Sequence, residues 1–326
     1  MMNDDAYLEA DRRYFSHHTF PSWPMLAAER RDWRLERETM KTQSTKTGMN
    51  RRTFLQVSAG AAAIAAGSGP ALLNAQDYGG KRIPFALQLY TIGADLRRDM
   101  AGTLQQVAKL GFKGVEFAGF NNVAAADIKK MLDDNGLQCV GCHTGLNTLM
   151  GAEFDRTVEF NRAIGNPRPI VPSLSGNYTN SRKAIEDAAD IFNGIAEKLK
   201  PLGMRTGFHN HPGEFRDVEG STVWDIFFSR ANRDVIMQCD LGHMGTAGAD
   251  QMAVMAKFPG RAVTVHVKPS NAAPLLGDAA DKNKWPEIFR ACETVGGTEW
   301  YILEYDGGSM DKVVRSMDLL KSWGKV

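Results

Sequence analysis

Arg205-Thr206-Gly207-Phe208-His209-Asn210-His211-Pro212-Gly213-Glu214-Phe215 is a short β-rich run that ends abruptly in imidazoles and a turn. Before it lies Arg182 to Leu199, where Ile185, Ala188, Ala189, Phe192, Ile195, Ala196 and Leu199 recur at helical spacing. After it come another helical stretch, Val223 to Arg230, and another β run, Val235 to Asp240, again closing on a carboxylate. Helix and strand alternating in this way, with polar residues at the strand ends, is the pattern of βα units around a parallel sheet.

The same alternation extends in both directions. The strand candidates are Phe85 to Tyr90, Gly114 to Phe117, Gln138 to Cys142, Pro169 to Val171, Arg205 to His209, Val235 to Asp240, Ala262 to Val267 and Trp300 to Glu304. The helical stretches are Met100 to Leu110, Ala124 to Asn135, Phe154 to Ile164, Arg182 to Leu199, Val223 to Arg230, Asp250 to Lys257, Trp285 to Val295 and Met310 to Trp323. Eight of each within about 250 residues predicts a single-domain (β/α)8 TIM barrel over residues 76–326. A doubly wound open sheet is the alternative, but Leu89-Tyr90-Thr91-Ile92-Gly93 stands where its Gly-rich phosphate fingerprint belongs.

The chain has 326 residues, 43% of them hydrophobic, with 39 Lys+Arg against 38 Asp+Glu and four cysteines. That excludes a disulfide-stapled miniprotein and a disordered polyelectrolyte. The first 75 residues differ in kind from the rest. From Met49, Asn50-Arg51-Arg52-Thr53-Phe54-Leu55 precedes an Ala/Gly-rich apolar run from Val57 to Gly69 and then Pro70 to Ala75, where a peptidase could cut. This resembles a twin-arginine signal peptide over residues 49–75, implying export to the periplasm or beyond. The apolar run is too short for a stable membrane anchor, which needs roughly 20 strongly apolar residues.

Residues 1–48, with clusters such as Glu29-Arg30-Arg31-Asp32 and no sustained apolar period, read as a disordered upstream extension that is not native, with Met49 as the start. Without residues 1–75 the body carries 29 Lys+Arg against 30 Asp+Glu. It lacks the positive footprint of a nucleic-acid binder.

In such barrels the reacting groups sit at the C-terminal ends of strands. All five histidines of the body fall there: His143, His209, His211, His243 and His266. Glu116, Glu214, Asp240 and Glu304 join them, most of them following or sitting among apolar β residues, where an unpaired charge would cost several kcal/mol. Imidazole nitrogens mixed with carboxylates suit one divalent metal ion, Mn, Zn, Co or Fe, better than Ca or Mg. His209, Asp240, His266 and Glu304, from four neighbouring strands, are the expected ligands.

Phe208-His209-Asn210-His211-Pro212-Gly213-Glu214-Phe215, Cys239-Asp240-Leu241-Gly242-His243, Val265-His266-Val267-Lys268 and Leu303-Glu304 together resemble the sugar phosphate isomerase/epimerase family of xylose isomerase-like TIM barrels. Leu87-Gln88-Leu89-Tyr90 and Gly111-Phe112-Lys113-Gly114-Val115-Glu116 extend the resemblance over nearly all of residues 83 to 323. It implies metal ligands on strands five to eight, His243 as a substrate or second-metal contact, and often a homodimer. There is one departure: many ketose epimerases of the family carry a glutamate at the position of His209 and use it with the strand-eight glutamate as a two-base pair. Here only Glu304 of that pair remains.

A metal holding a carbonyl and adjacent hydroxyl would acidify the neighbouring C–H, and Glu304, His211 or Glu214 could move the proton. The expected function is a metal-dependent isomerase or epimerase acting on a ketosugar through an enolate-type intermediate. The missing glutamate raises a 3-keto-glycoside lyase or hydratase as the alternative, and a non-catalytic exported sugar-binding barrel stands behind both. Lys268 is placed for a substrate oxygen or for tethering a loop carboxylate; Glu116 and His143 for the pocket floor or rim, or for bracing other polar groups. Trp285 and Trp300 read as packing. The related apurinic endonucleases need a further Asp-x-His pair that His266-Val267-Lys268 does not supply. Cys139 and Cys142 form a C-x-x-C, but side chains three apart on a strand point to opposite faces, so these two, with Cys239 and Cys292, are expected to be buried free thiols.

Overall fold

The computed structural model describes residues 82–326. The expected upstream extension and twin-arginine signal lie outside them. Eight parallel strands close on themselves: β1 (Phe85–Gln88), β2 (Gly114–Phe117), β3 (Gln138–His143), β4 (Pro169–Val171), β5 (Gly207–His209), β6 (Ile236–Asp240), β7 (Thr264–Val267) and β8 (Trp300–Leu303). Each pairs with its neighbours in sequence, and β1 pairs with β8 through Phe85↔Tyr301, Ala86↔Ile302 and Leu87↔Leu303. This is the (β/α)8 barrel the alternation predicts.

The crossover helices follow the sequence signals closely. Met100–Leu110 starts at Asp99, which accepts from the Gly102 N–H, and stops at Gly111 in the left-handed conformation, φ 105°. Arg182–Leu199 is capped by Ser181 and buries the apolar stripe from Ile185 to Leu199. The expected helix from Trp285 to Val295 is α-helical only to Ala291 and widens into a π turn over Cys292–Gly296. Short helices at Gly93–Arg98 and Leu241–Thr246 and a two-stranded hairpin (Asp217–Val218, Ser221–Thr222) were not expected, being too short to show a period. Among the described residues no helix is long and apolar enough to cross a membrane.

Two kinds of core result. One large cluster, holding Phe85, Leu87, Tyr301 and Leu303, packs the outside of the barrel against the helices. Their strand neighbours Ala86, Trp300 and Ile302 form a separate cluster with Val140, and Ile170, Ile236 and Val263 form another; these plug the barrel's N-terminal end.

One local expectation is corrected. The register between β2 and β3 shifts between Val115 and Glu116, leaving an extra residue in β3. Because of that bulge Cys139 and Cys142 do not split between faces: both join the outer cluster, buried and free. Cys239 and Cys292 are also buried and free.

Candidate metal centre and active site

Alternation along the strands stacks the barrel interior in layers. The inward positions read Ile236, Gln238, Asp240 on β6 and Thr264, His266, Lys268 on and beyond β7. On β8 they read Trp300, Ile302, Glu304. Apolar residues lie at the bottom, polar groups come next, and ionisable side chains crowd the C-terminal mouth.

The middle layer centres on Glu116, which is fully buried. Gln88 Nε2 donates to its Oε2 (2.8 Å), Gln238 Nε2 to its Oε1 (2.7 Å) and His266 Nε2 to its Oε2 (2.7 Å). Burial opposes ionisation of Glu116, but His143 and His266 outweigh it and hold the carboxyl below its ordinary value. Gly141 makes room for this carboxylate, since a Cβ there would meet Glu116 Oε1 at 2.3 Å. Gln238 is saturated: its Nε2 also donates to Thr264 Oγ1 (3.1 Å), and its Oε1 accepts from His143 Nε2 (3.0 Å) and His209 Nδ1 (3.2 Å).

These bonds decide which imidazole lone pairs face the mouth. His209, donating through Nδ1, turns Nε2 to within 4.0 Å of Asp240 Oδ2. His266, donating through Nε2, turns Nδ1 toward Asp240 Oδ2 (3.9 Å) and into close contact with Glu304 Oε2. Metal-binding histidines are oriented in this way, with the second nitrogen anchored by a carboxylate or amide.

Three buried atoms at this level have no hydrogen-bond partner: Asp240 Oδ2, His266 Nδ1 and Glu304 Oε2. They converge, and the three residues form a group able to hold a metal ion. The contact between His266 Nδ1 and Glu304 Oε2 lacks hydrogen-bond geometry, so a proton or a cation must relieve it.

Without a metal, protons balance the carboxylates of the pocket. Burial works against a charged His266, yet Glu304 and Glu116 outweigh it and raise the imidazole to about 10. Burial pushes Asp240 up to about 7 against the pull of Lys268, with Glu304 adding to the rise. Burial also opposes the charge on Glu304, but Lys268 and His266 hold it well below the carboxylate range. The residues themselves are short of positive charge, and two carboxylate oxygens with one or two imidazole nitrogens suit a divalent transition metal. The donor set fits the metal that family members often bind.

Of the expected ligands, Asp240, His266 and Glu304 come together, and His209 stands at their edge, grouped with His143 and His266 on one side and with His211 and His243 on the other. His211 is half-buried at the mouth, its ring centroid 4.8 Å from that of His243. Burial and the Lys268 ammonium lower it to about 4, so it is neutral at pH 7. Glu214 is turned back on its own turn, Oε2 accepting the His211 backbone N–H (2.7 Å), and burial raises it to about 7. His243 and Lys268 are buried against each other, Nε2 to Nζ 2.9 Å. Glu116 and His143 brace the centre from below. Trp285 and Trp300 are packing residues, and Trp285 Nε1 donates to Asp281 Oδ2 (2.7 Å).

Sequence reading missed Gln88, Gln238, Thr264 and Asp306. Two of them carried a signal of position only: Gln238 and Thr264 precede Asp240 and His266 by two residues, whereas Gln88 is set beside Glu116 only by the pairing of β1 with β2. Asp306, on the loop after β8, carried none.

A closed parallel barrel with a buried His/Asp/Glu pocket at its C-terminal mouth defines the class of (β/α)8 proteins whose strand ends carry the chemistry. The chain belongs to the xylose isomerase-like TIM barrel family, whose profile matches residues 104–323. Its fold is similar to that of a sugar phosphate isomerase/epimerase from Parabacteroides distasonis ATCC 8503, with TM-score 0.66 and 22% identity over 78% of this chain and 98% of that one. It is also similar to an AP endonuclease, family 2, from Brucella melitensis (TM-score 0.59, 20% identity, 73% and 98% of the two chains). An L-ribulose 3-epimerase is a further match in fold (TM-score 0.53, 16% identity, 74% and 86%). No curated protein matches the chain.

Proposed function

We propose that this barrel is a metal-dependent isomerase or epimerase acting on a ketosugar or a related carbohydrate. The observation that carries the reading is the convergence of Asp240 Oδ2, His266 Nδ1 and Glu304 Oε2, buried and without hydrogen-bond partners at the barrel mouth. Asp240, His266 and Glu304 would hold a divalent ion, which would supply Lewis acidity toward a carbonyl and adjacent hydroxyl, worth several kcal/mol in the transition state. The chain's own residues supply the rest. Gln238 and Glu116 fix the tautomers of His209 and His266. The neutral His211 imidazole, at the mouth, accepts the proton leaving the substrate carbon. Glu304 turns Oε2 to the proposed metal site while its Oε1 accepts from Lys268 (3.1 Å), and Glu214 is committed to its turn, so His211 is the readiest proton carrier.

That imbalance favours a second reading. Epimerisation needs a base on each face of the carbon, whereas elimination from a 3-keto-glycoside needs one base and one acid. The strand-five position that would hold a second carboxylate base holds His209 instead. NMR of free ketoses and 3-keto-glucosides incubated with the metal-loaded protein in D2O separates the cases. Deuterium entering a C–H without bond cleavage supports isomerase or epimerase, and release of aglycone supports lyase. No change in any substrate overturns both and leaves a binding protein. His211→Ala should keep its metal and lose roughly 10²- to 10⁴-fold in turnover; an unchanged rate would remove His211 from proton transfer. Export by the twin-arginine route and homodimerisation complete the proposal, to be checked by N-terminal sequencing of exported protein and by light scattering.

A further inference from the structure

Lys268 follows His266 by two residues and therefore points into the barrel mouth one level higher, where it is buried. An ammonium has three donors and no acceptor. Here all three are spoken for: Nζ lies 2.8 Å from Asp306 Oδ2, 2.9 Å from His243 Nε2 and 3.1 Å from Glu304 Oε1, with Asp240 Oδ2 next at 3.7 Å. Because Lys268 donates, His243 must present the lone pair of Nε2 to it. One imidazole nitrogen and two carboxylate oxygens around a single positive centre is also a transition-metal donor set, and the ligand atoms of His243, Glu304 and Asp306 lie close enough together to hold a metal ion.

We propose that Lys268 is the resident cation of a second cation subsite, built by His243, Glu304 and Asp306 beside the first centre. Glu304 joins the two, Oε2 facing His266 and Asp240 while Oε1 faces the ammonium. The lysine keeps the pocket to one metal by occupying this place with a tethered charge. Removing the ammonium leaves two carboxylates and an imidazole lone pair facing one another, and they need to close in by only about 0.6–1.1 Å to reach metal-bonding distance.

The inference rests on the reading of Asp240, His266 and Glu304 as the first centre, and counting bound ions tests the two separately. Equilibrium dialysis against Mn2+ should give one ion per chain for the wild type, two for Lys268→Ala and one again for Lys268→Ala/Asp306→Ala. Lys268→Met, which keeps the stem's volume, carries the measurement if Lys268→Ala does not fold. A wild type that binds no Mn2+ refutes the first centre, while a gain of one ion on losing the lysine still supports the subsite. A Lys268→Ala or Lys268→Met protein whose count equals that of the wild type, a double variant that still binds one ion more than the wild type, or a wild type that already binds two, overturns the proposal.

Discussion

Asp240→Asn is expected to abolish binding of the proposed metal and the proposed turnover together while the barrel stays folded. The two carboxylate oxygens of Asp240 have separate duties: Oδ1 accepts the His243 N–H at 2.8 Å and caps the helix Leu241–Thr246, whereas Oδ2 is the buried atom left for a cation. An asparagine keeps the capping oxygen and puts an NH2 group, which cannot bind a metal cation, in the other place. Loss of a Lewis acid worth several kcal/mol, taken as about 4, lowers the rate roughly 10³-fold. Asp240→Ala should add the loss of the cap, about 1 kcal/mol of stability. Glu304→Ala should match it in metal content and rate. Elemental analysis and steady-state kinetics on the same preparations check this; full metal content and turnover in either variant would show that the proposed centre is wrong.

Glu116→Ala will weaken folding and metal binding at once, although Glu116 is not among the proposed ligands. Three donors converge on its carboxylate, from Gln88, Gln238 and His266, all out of reach of water. Removing one partner of such a buried charged network costs about 3–5 kcal/mol. Glu116→Gln keeps the shape but replaces one acceptor oxygen with a donor facing another donor. It also loosens the bond that holds His266 with Nδ1 toward the mouth. Loss of an outer partner of this kind typically costs 10- to 100-fold in metal affinity. Denaturant unfolding with and without Mn2+ measures the first effect and Mn2+ titration the second. Wild-type stability and affinity in both variants would mean that the middle layer supports nothing.

The two cases differ in how legible they were. Asp240 stood out because a carboxylate ending an apolar β run, with histidines at the neighbouring strand ends, is visible in the chain itself. Glu116 was visible as a strand-two carboxylate, but its place below the centre depends on a bulge in β3 and on Gly141, which only the closed barrel brings beside it. The bulge also put Cys139 and Cys142 on the same side, against simple alternation. Gln238 looked like an ordinary polar residue in a strand, and nothing local shows that its amide reaches four side chains from different strands.

The sequence by itself determined the eight-fold alternation, the strands to within about two residues, and the gathering of Asp240, His266 and Glu304 at strand ends, because helical and strand periods are local properties of the chain. The closed barrel alone decided which atom of each side chain is left over. Asp240 Oδ2, His266 Nδ1 and Glu304 Oε2 lack hydrogen-bond partners because donors around them, such as His266 Nε2 and the Lys268 ammonium, are already committed to atoms brought there from other strands, and burial makes such leftover polar atoms costly without a cation.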